Sequence, residues 1–397
     1  MKTIALAFRY LWSRPLQAVL NLLLLTLGLA SITFVLLASE QVDRAFQRDL
    51  AGIDLVVGAK GSPMQLILAG VFHIDTPPGN IALQDVQELR KQPMVAKLIP
   101  LSMGDSFRGF RVVGTTTEYL AHYGLSFAQG KAWEQPMEAV LGAQVAQATG
   151  LKDGDRFSGS HGLGGGGQDH GDAAYRVKGV LAPCGCVADR LVLTSLESVW
   201  EVHESMESKG AHAQDEHREV TMALITYKSP LAAASFPRWV NSSTRMQAAA
   251  PALEVSRLLR LLGVGTDVLR GVGVVLLVTA ALSVFIALWN AVRERRDDLA
   301  MLRMLGATPG KVAALLFSEA LWLALLASVL GLAIGHGLAG LVGAMLEAQR
   351  SLPISGAVWV TAEGWIPVAA VAVAALAALI PSVTAYRIDV AQLLNAR

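Results

Sequence analysis

Four long apolar runs, almost free of charge, limit what this chain can fold into: Leu16–Ala38, Val268–Val292, Val312–Leu346 and Trp365–Ala385. Each is long enough to cross a hydrocarbon layer about 30 Å thick at about 1.5 Å of rise per helical residue. One lies near the start and three near the end, and the stretch between the first and second is polar, roughly 220 residues long, and sized for a domain of its own. Of the 397 residues, 53% are hydrophobic and 16% charged. Because the apolar excess is concentrated in these runs, the chain reads as a membrane protein carrying one large water-exposed domain. The first run does not read as a cleavable leader. A leader's apolar region is about 7–15 residues and ends at a small-residue cleavage site, whereas here Leu36-Leu37-Ala38 is followed by Ser39, Glu40 and Gln41.

Lys and Arg near helix ends mark the cytoplasmic side. Lys2, Arg9 and Arg14 precede the first run; Arg293, Arg295, Arg296, Arg303 and Lys311 lie between the second and third; Arg387 and Arg397 follow the fourth; the loop between the third and fourth holds only Arg350. Both termini are therefore expected inside and the large domain outside. The first residues place Ile4, Ala7, Phe8, Leu11 and Trp12 on one helical face, the pattern of a helix lying at the lipid surface, and Pro15 marks the bend into the first span. A net charge of +1, with no basic tract interleaved by aromatics, excludes a nucleic-acid partner.

The expected order is an interfacial helix (1–15), a first span (16–38), an outer α+β domain (39–267), a second span (268–292), a cytoplasmic helix (293–311), a third span (312–346), an outer loop (347–364), a fourth span (365–385) and a cytoplasmic tail (386–397). Within the domain, Ile81–Lys91 and Gln135–Thr149 read as helices, and Phe110–Val113, Tyr175–Leu181 and Val220–Tyr227 as strands. The turn Gly150, Lys152-Asp153-Gly154-Asp155 feeds a strand at Arg156-Phe157-Ser158, whose expected hairpin partner is Tyr175–Leu181.

Between those strands the run 160–172 is rich in glycine and carries His161, His170, Asp169 and Asp172, which predicts a flexible loop. A second polar set, His203, Glu204, His212, Asp215, Glu216 and His217, follows. Histidine and carboxylate at such spacings suit zinc or another divalent metal; the alternative is a pair of solvated loops. The chain's two cysteines, Cys184 and Cys186, are expected on the oxidising side. They are compatible with a redox bridge, a two-thiolate metal site or a structural turn clip.

After the second span, Leu299, Leu302 and Leu305 recur at helical spacing among charges, which predicts an amphipathic cytoplasmic helix in need of an apolar groove from a partner. The segment Asp298-Leu299-Ala300-Met301-Leu302-Arg303-Met304-Leu305-Gly306-Ala307-Thr308 resembles the cytoplasmic motif of the FtsX/MacB family of ABC transporter permeases. It departs from that motif at Asp298, Ala300 and Met304, where the family usually has glutamate, glycine and alanine. Phe8–Pro15 is similar to the family's N-terminal elbow, and Glu319 falls where the family often has a glutamate. Pro381–Leu394 is similar to the closing tail, and Glu138–Gly142, Gly150–Asp155 and Tyr175–Leu181 to the periplasmic core domain. In that frame the His/Gly run is an insertion in a family hairpin.

The resemblance implies an α-helical membrane protein with four transmembrane helices and an α+β periplasmic domain between helices 1 and 2, resident in a bacterial inner membrane. It implies a second permease copy and a cytoplasmic ABC ATPase held by Arg295, Asp298, Leu299, Leu302, Arg303, Leu305, Gly306, Ala307 and Thr308. A periplasmic protein or lipoprotein partner is also implied. ATP and magnesium would be handled by the partner ATPase, because Gly306–Val312 lacks the spacing and the Ser/Thr of a nucleotide-binding loop. This chain is then a transporter subunit rather than an enzyme, with no cofactor of its own unless His161, His170, Cys184, Cys186, His203, His212 and His217 hold metal. Gly331 and Gly335 form a G-x-x-x-G that lets a neighbouring helix approach closely. The rival reading is a membrane-anchored periplasmic metal-binding or sensor protein, although no H-E-x-x-H is present.

Overall fold

The computed structural model describes residues 2–13, 15–161, 169–207, 218–294, 301, 304–348 and 354–386. The chain divides into two compact units, Met1–Asp43 with Leu261–Arg397, and Arg44–Arg260.

Long helices make the first unit. The elbow helix Lys2–Leu11 precedes four helices that are apolar and long enough to cross a membrane: Pro15–Asp49, Pro251–Glu294, Pro309–Ala348 and Trp365–Tyr386. Three begin at proline, which lacks an N–H where the first helical turn needs none. The first two run well past the charge-free residues read from the sequence, since a helix of 35 residues is about 50 Å long and one of 44 about 65 Å. The shared core is built from small and aliphatic side chains repeating every third or fourth residue, such as Leu316, Ala320, Ala324 and Ala327 on the third helix and Ala370, Ala374 and Ala378 on the fourth. The opposite faces expose Leu23, Leu27, Val275, Leu282, Ile334, Leu341, Leu376 and Ile380. Such a surface suits hydrocarbon rather than water.

The second unit is a mixed sheet of β1 (Leu55–Ala59), β3 (Val95–Phe107), β4 (Phe110–Thr115), β5 (Phe127–Gly130), β6 (Glu138–Leu141), β7 (Arg156–His161), β8 (Asp169–Leu181), β9 (Leu191–Ser195), β11 (Met222–Tyr227) and β12 (Met246–Ala249). A two-residue pair, β2 (Ile81–Ala82) with β10 (Glu219–Val220), stands apart. The thirteen-residue β3 joins two lobes. Its first half pairs with β11, which continues to β1 and β12. The helices Leu83–Arg90 and Ala232–Ser243 pack on this lobe, with Val86, Leu89, Phe236 and Val240 against Leu55, Val57, Leu98 and Ile225.

The second half of β3 starts a ring. β3 pairs with β4, β4 with β9, β9 with β6, β6 with β8, β8 with β7, and β7 back with β3 through Asp105↔His161 and Ser106↔Ser160. Phe107, Phe110, Val112, Leu141, Phe157, Tyr175, Val177 and Val192 form its core. A two-residue turn at Arg108-Gly109, both left-handed (φ 48° and 79°), brings Phe107 opposite Phe110, the backbone that a tight hairpin requires.

The expected hairpin forms, with Phe157 opposite Tyr175. Three local expectations change. Glu138–Leu141, read as part of a helix from Gln135, is the strand β6, and the helix begins only at Ala143; flanked by β8 and β9 and buried throughout, this run follows tertiary pairing rather than helical propensity. Ile81-Ala82 is strand and its helix begins at Leu83. The strand read from Val220 breaks at Thr221, whose Oγ1 accepts from Met103 N at 2.9 Å while its N donates to Leu101 O at 2.8 Å. The glycine-rich run is also less of a loop than expected: Ser160-His161 and Asp169–Asp172 are backbone of β7 and β8.

Candidate functional site

Between the second and third membrane helices, the hydrogen bond from Leu305 N to Met301 O (3.0 Å) is followed by Gly306 in the left-handed region, φ 93°. Glycine is suited to end a helical turn there. The carbonyl of Thr308 then accepts from Lys311 N (2.9 Å), and Pro309 opens the third helix. Met301, Met304 and Leu305 are exposed, Leu305 to 81%, while Ala307 is half-buried. Apolar side chains turned outward next to Lys311 and Arg293 are the surface expected of a docking element. Arg295, Asp298, Leu299, Leu302 and Arg303 lie outside the described residues.

Gly331 and Gly335 face the first membrane helix: a Cβ at Gly331 would stand 2.7 Å from Leu29 Cβ, and one at Gly335 2.5 Å from Thr33 Cβ. The two backbones meet where no side chain fits. Ser283 Oγ donates to Asn21 Oδ1 (2.5 Å) from the second helix to the first. Glu319, on the third helix, is buried and lines a small cleft of about 40 Å³ with Tyr10, Gln17, Asn21 and Leu323.

His336, towards the end of the third helix, is shielded. Its Nδ1 lies 2.7 Å from Gly356 O and its Nε2 2.8 Å from Glu363 Oε2, with Trp359 packed on the ring at 4.4 Å between centroids. A carbonyl only accepts, so Nδ1 carries a proton, and the Glu363 carboxylate facing Nε2 accepts from Val360 N (2.8 Å) through its other oxygen. Gln41 fastens the same outer loop to the first helix through Ser355, donating to its carbonyl at 2.9 Å and accepting from its N at 2.8 Å. Glu363 carried no sequence signal, because its role depends on a loop that folds back.

In the α/β unit, Cys184 and Cys186 are joined by a disulfide. In this form neither sulfur offers a thiolate, so of the three options left open by the sequence, a two-thiolate metal site is not the one present. Asp189 organises the turn: its carboxylate accepts from Cys184 N (3.0 Å) and Gly185 N (2.7 Å). Arg48 donates to Gly185 O, and Val187 N donates to Asp49 Oδ1 at 3.0 Å. Half-buried Arg190 is attracted to both Asp49 and Asp189; loss of solvent is the larger influence and lowers its pKa. Sequence reasoning passed over Arg48, Asp49 and Asp189, although an Asp three residues beyond a Pro-Cys-Gly-Cys turn is a recognisable turn-capping signal.

The histidines expected as metal ligands fall on several elements or outside the described residues. His161 and His170 belong to β7 and β8 and His203 to the helix Leu196–Glu207 by their backbone alone, and His212 and His217 lie outside the described residues. Among the described residues, no three His, Cys, Asp or Glu side chains converge as a metal site.

Residues 18–235 match the family described as MacB-like periplasmic core domain, more than half of the chain, and residues 270–390 match FtsX-like permease C-terminal. The chain belongs to the FtsX/MacB-type permease family. The permease is similar to the periplasmic region of MacB from Actinobacillus actinomycetemcomitans at 14% identity and a TM-score of 0.36, over 53% of this chain and 95% of that one. It is similar also to the extracellular domain of the noncanonic ABC-type transporter YknZ from Gram-positive bacteria, at 13% identity and a TM-score of 0.30, over 49% and 98%. A domain of a putative permease protein from Porphyromonas gingivalis gives 14%, 0.28, 51% and 88% in the same order. No curated relative matches the sequence.

Proposed function

We propose that this permease is the membrane subunit of an ABC transporter that borrows ATP hydrolysis from a separate cytoplasmic ATPase and transmits it as movement of the periplasmic domain. The observation that carries the reading is the exposure of the apolar side chains Met301, Met304 and Leu305, followed by left-handed Gly306, in the sequence between two membrane helices. An ATPase groove would cover them, and the motor's displacement would enter the permease there. Both termini lie in the cytoplasm of a bacterial inner membrane, following the Lys/Arg distribution. Two copies pair in the membrane, and the domain acts on a periplasmic protein, lipoprotein or lipid-linked substrate by mechanical work, export or extraction. A link to metal is part of the proposal: the β7–β8 hairpin brings the backbones of His161 and His170 to one end of one element, where zinc or another divalent ion would be met.

The test is co-purification with the candidate ATPase and ATP hydrolysis in lipid. Leu302→Asp and Arg303→Glu are expected to abolish both association and stimulated hydrolysis. A permease that never associates with an ATPase would instead favour a stand-alone periplasmic metal protein, and zinc binding that survives His-to-Ala changes in both polar segments would remove the metal link.

A further inference from the structure

The turn Pro183-Cys184-Gly185-Cys186 has features that a purely structural clip does not need. Its disulfide closes a loop over a sequence separation of only two, and short loops restrict the unfolded chain least, so the bond adds little to stability by that route. The turn is also held by other means: Asp189 receives the N–H groups of Cys184 and Gly185, contacts that do not run through the sulfur–sulfur bond. Both redox states are provided for. Cys184 Sγ lies 3.3 Å from Asp189 Oδ1, a ready acceptor for a thiol S–H, and 3.1 Å from Cys186 N, a donor to sulfur. Pro183 and Gly185 are exposed and Cys184 is half-buried, whereas Cys186 is buried, so one sulfur is the one that can be approached. The chain has no third cysteine, so exchange can take place only with an outside thiol.

The turn also has an output. Arg48 and Asp49 are the last residues of the helix Pro15–Asp49. Arg48 donates to the carbonyl of Gly185, inside the ring, and Asp49 accepts from Val187 N, next to Cys186. Gly185 is left-handed, φ 63°, and a Cβ there would stand 2.7 Å from Arg48 Nη1, so the middle residue of the ring is glycine where the guanidinium comes close.

We propose that Cys184-Gly185-Cys186 is a thiol–disulfide exchange site for an external dithiol, and that its redox state governs how firmly the end of the first membrane helix is held to the domain. One thiolate of the dithiol attacks Cys184 Sγ, the Cys184–Cys186 bond breaks, and Cys186 leaves as a thiolate and takes up a proton. The second thiol of the reductant then attacks the mixed disulfide and releases Cys184 as a thiol. Two electrons and two protons pass to the permease, and the dithiol becomes a disulfide. Opening the ring frees the Gly185 carbonyl to turn away from Arg48.

The experiment uses the full-length protein in lipid nanodiscs at neutral pH without denaturant. Dithiothreitol is the probe, maleimide labelling with mass analysis counts thiols, and amide hydrogen exchange is followed over residues 44–50. The expected result is two labelled cysteines in folded protein and exchange at Arg48 and Asp49 faster by about tenfold or more. The C184S/C186S variant should reproduce the faster exchange without reductant. If that variant fails to fold, the reductant arm decides alone. Thiols that label only after denaturation, or exchange over 44–50 that is equal in the two redox states, would overturn the proposal.

Discussion

His73 is the residue whose chemistry least matches its surroundings. It is buried, adopts a left-handed backbone at φ 55°, and has no hydrogen-bond partner for either ring nitrogen among the described residues. Burial pushes its pKa well below the ordinary histidine value, and the charges of Arg111 and Arg190 push in the same direction. The folded protein therefore keeps His73 neutral, while the unfolded chain takes up a proton below about pH 6.5. Above that pH the group has no effect on stability; as pH falls through it, stability declines by up to about 1.4 kcal/mol per pH unit. His73→Asn, whose side chain tolerates the left-handed backbone, should flatten this decline, read as the thermal midpoint of the full chain between pH 7 and pH 5. An unchanged slope would show that other groups set the acid sensitivity. None of this was legible in the sequence, where His73 is one more histidine of an outer domain. The cysteine pair was better placed, since its spacing limited it to three options, but the choice depended on Asp189 and Arg48 arriving from elsewhere in the fold.

Elements were legible in proportion to how local their causes are. The membrane helices, set by composition and length, contain the apolar runs read from the sequence, the first two extending beyond them, and the strands of Phe157 and Tyr175 pair as expected. β6 was misread because Glu138–Leu141 has no alternation to mark it as strand; burial against both β8 and β9 decides its state. The G-x-x-x-G of the third helix shows what an element-scale prediction can test. Gly335→Leu would force a side chain against Thr33 and should cost about 1–3 kcal/mol or more through overpacking, seen as a lower thermal midpoint in detergent. Gly337→Leu, where a Cβ meets nothing within 4 Å, should leave the midpoint near that of the parent protein. Equal losses in the two variants would mean that helix contact is not what the first of these glycines provides.

At the scale of the whole molecule, the family was readable because its signals are distributed: an elbow, four spans, a cytoplasmic motif and domain fragments in the right order. The proposed coupling would rest on a surface rather than a pocket, so the decisive substitution is one that leaves the fold alone. Leu305→Asp, at a side chain 81% exposed, should reduce ATPase stimulation about tenfold or more, as loss of a buried anchor does at an interface, with the thermal midpoint unchanged. A fall in midpoint together with activity would instead place Leu305 in the permease's own packing.

The six-stranded ring has a consequence for diversification. β7 pairs with β3 and β8, and β8 with β7, β6 and β5, so a residue added or lost within either strand would shift its register against neighbours on both sides. Variation in length between relatives is therefore expected in the sequence between the two strands. Related permeases would then differ most in what they touch where the glycines and histidines of this chain are found.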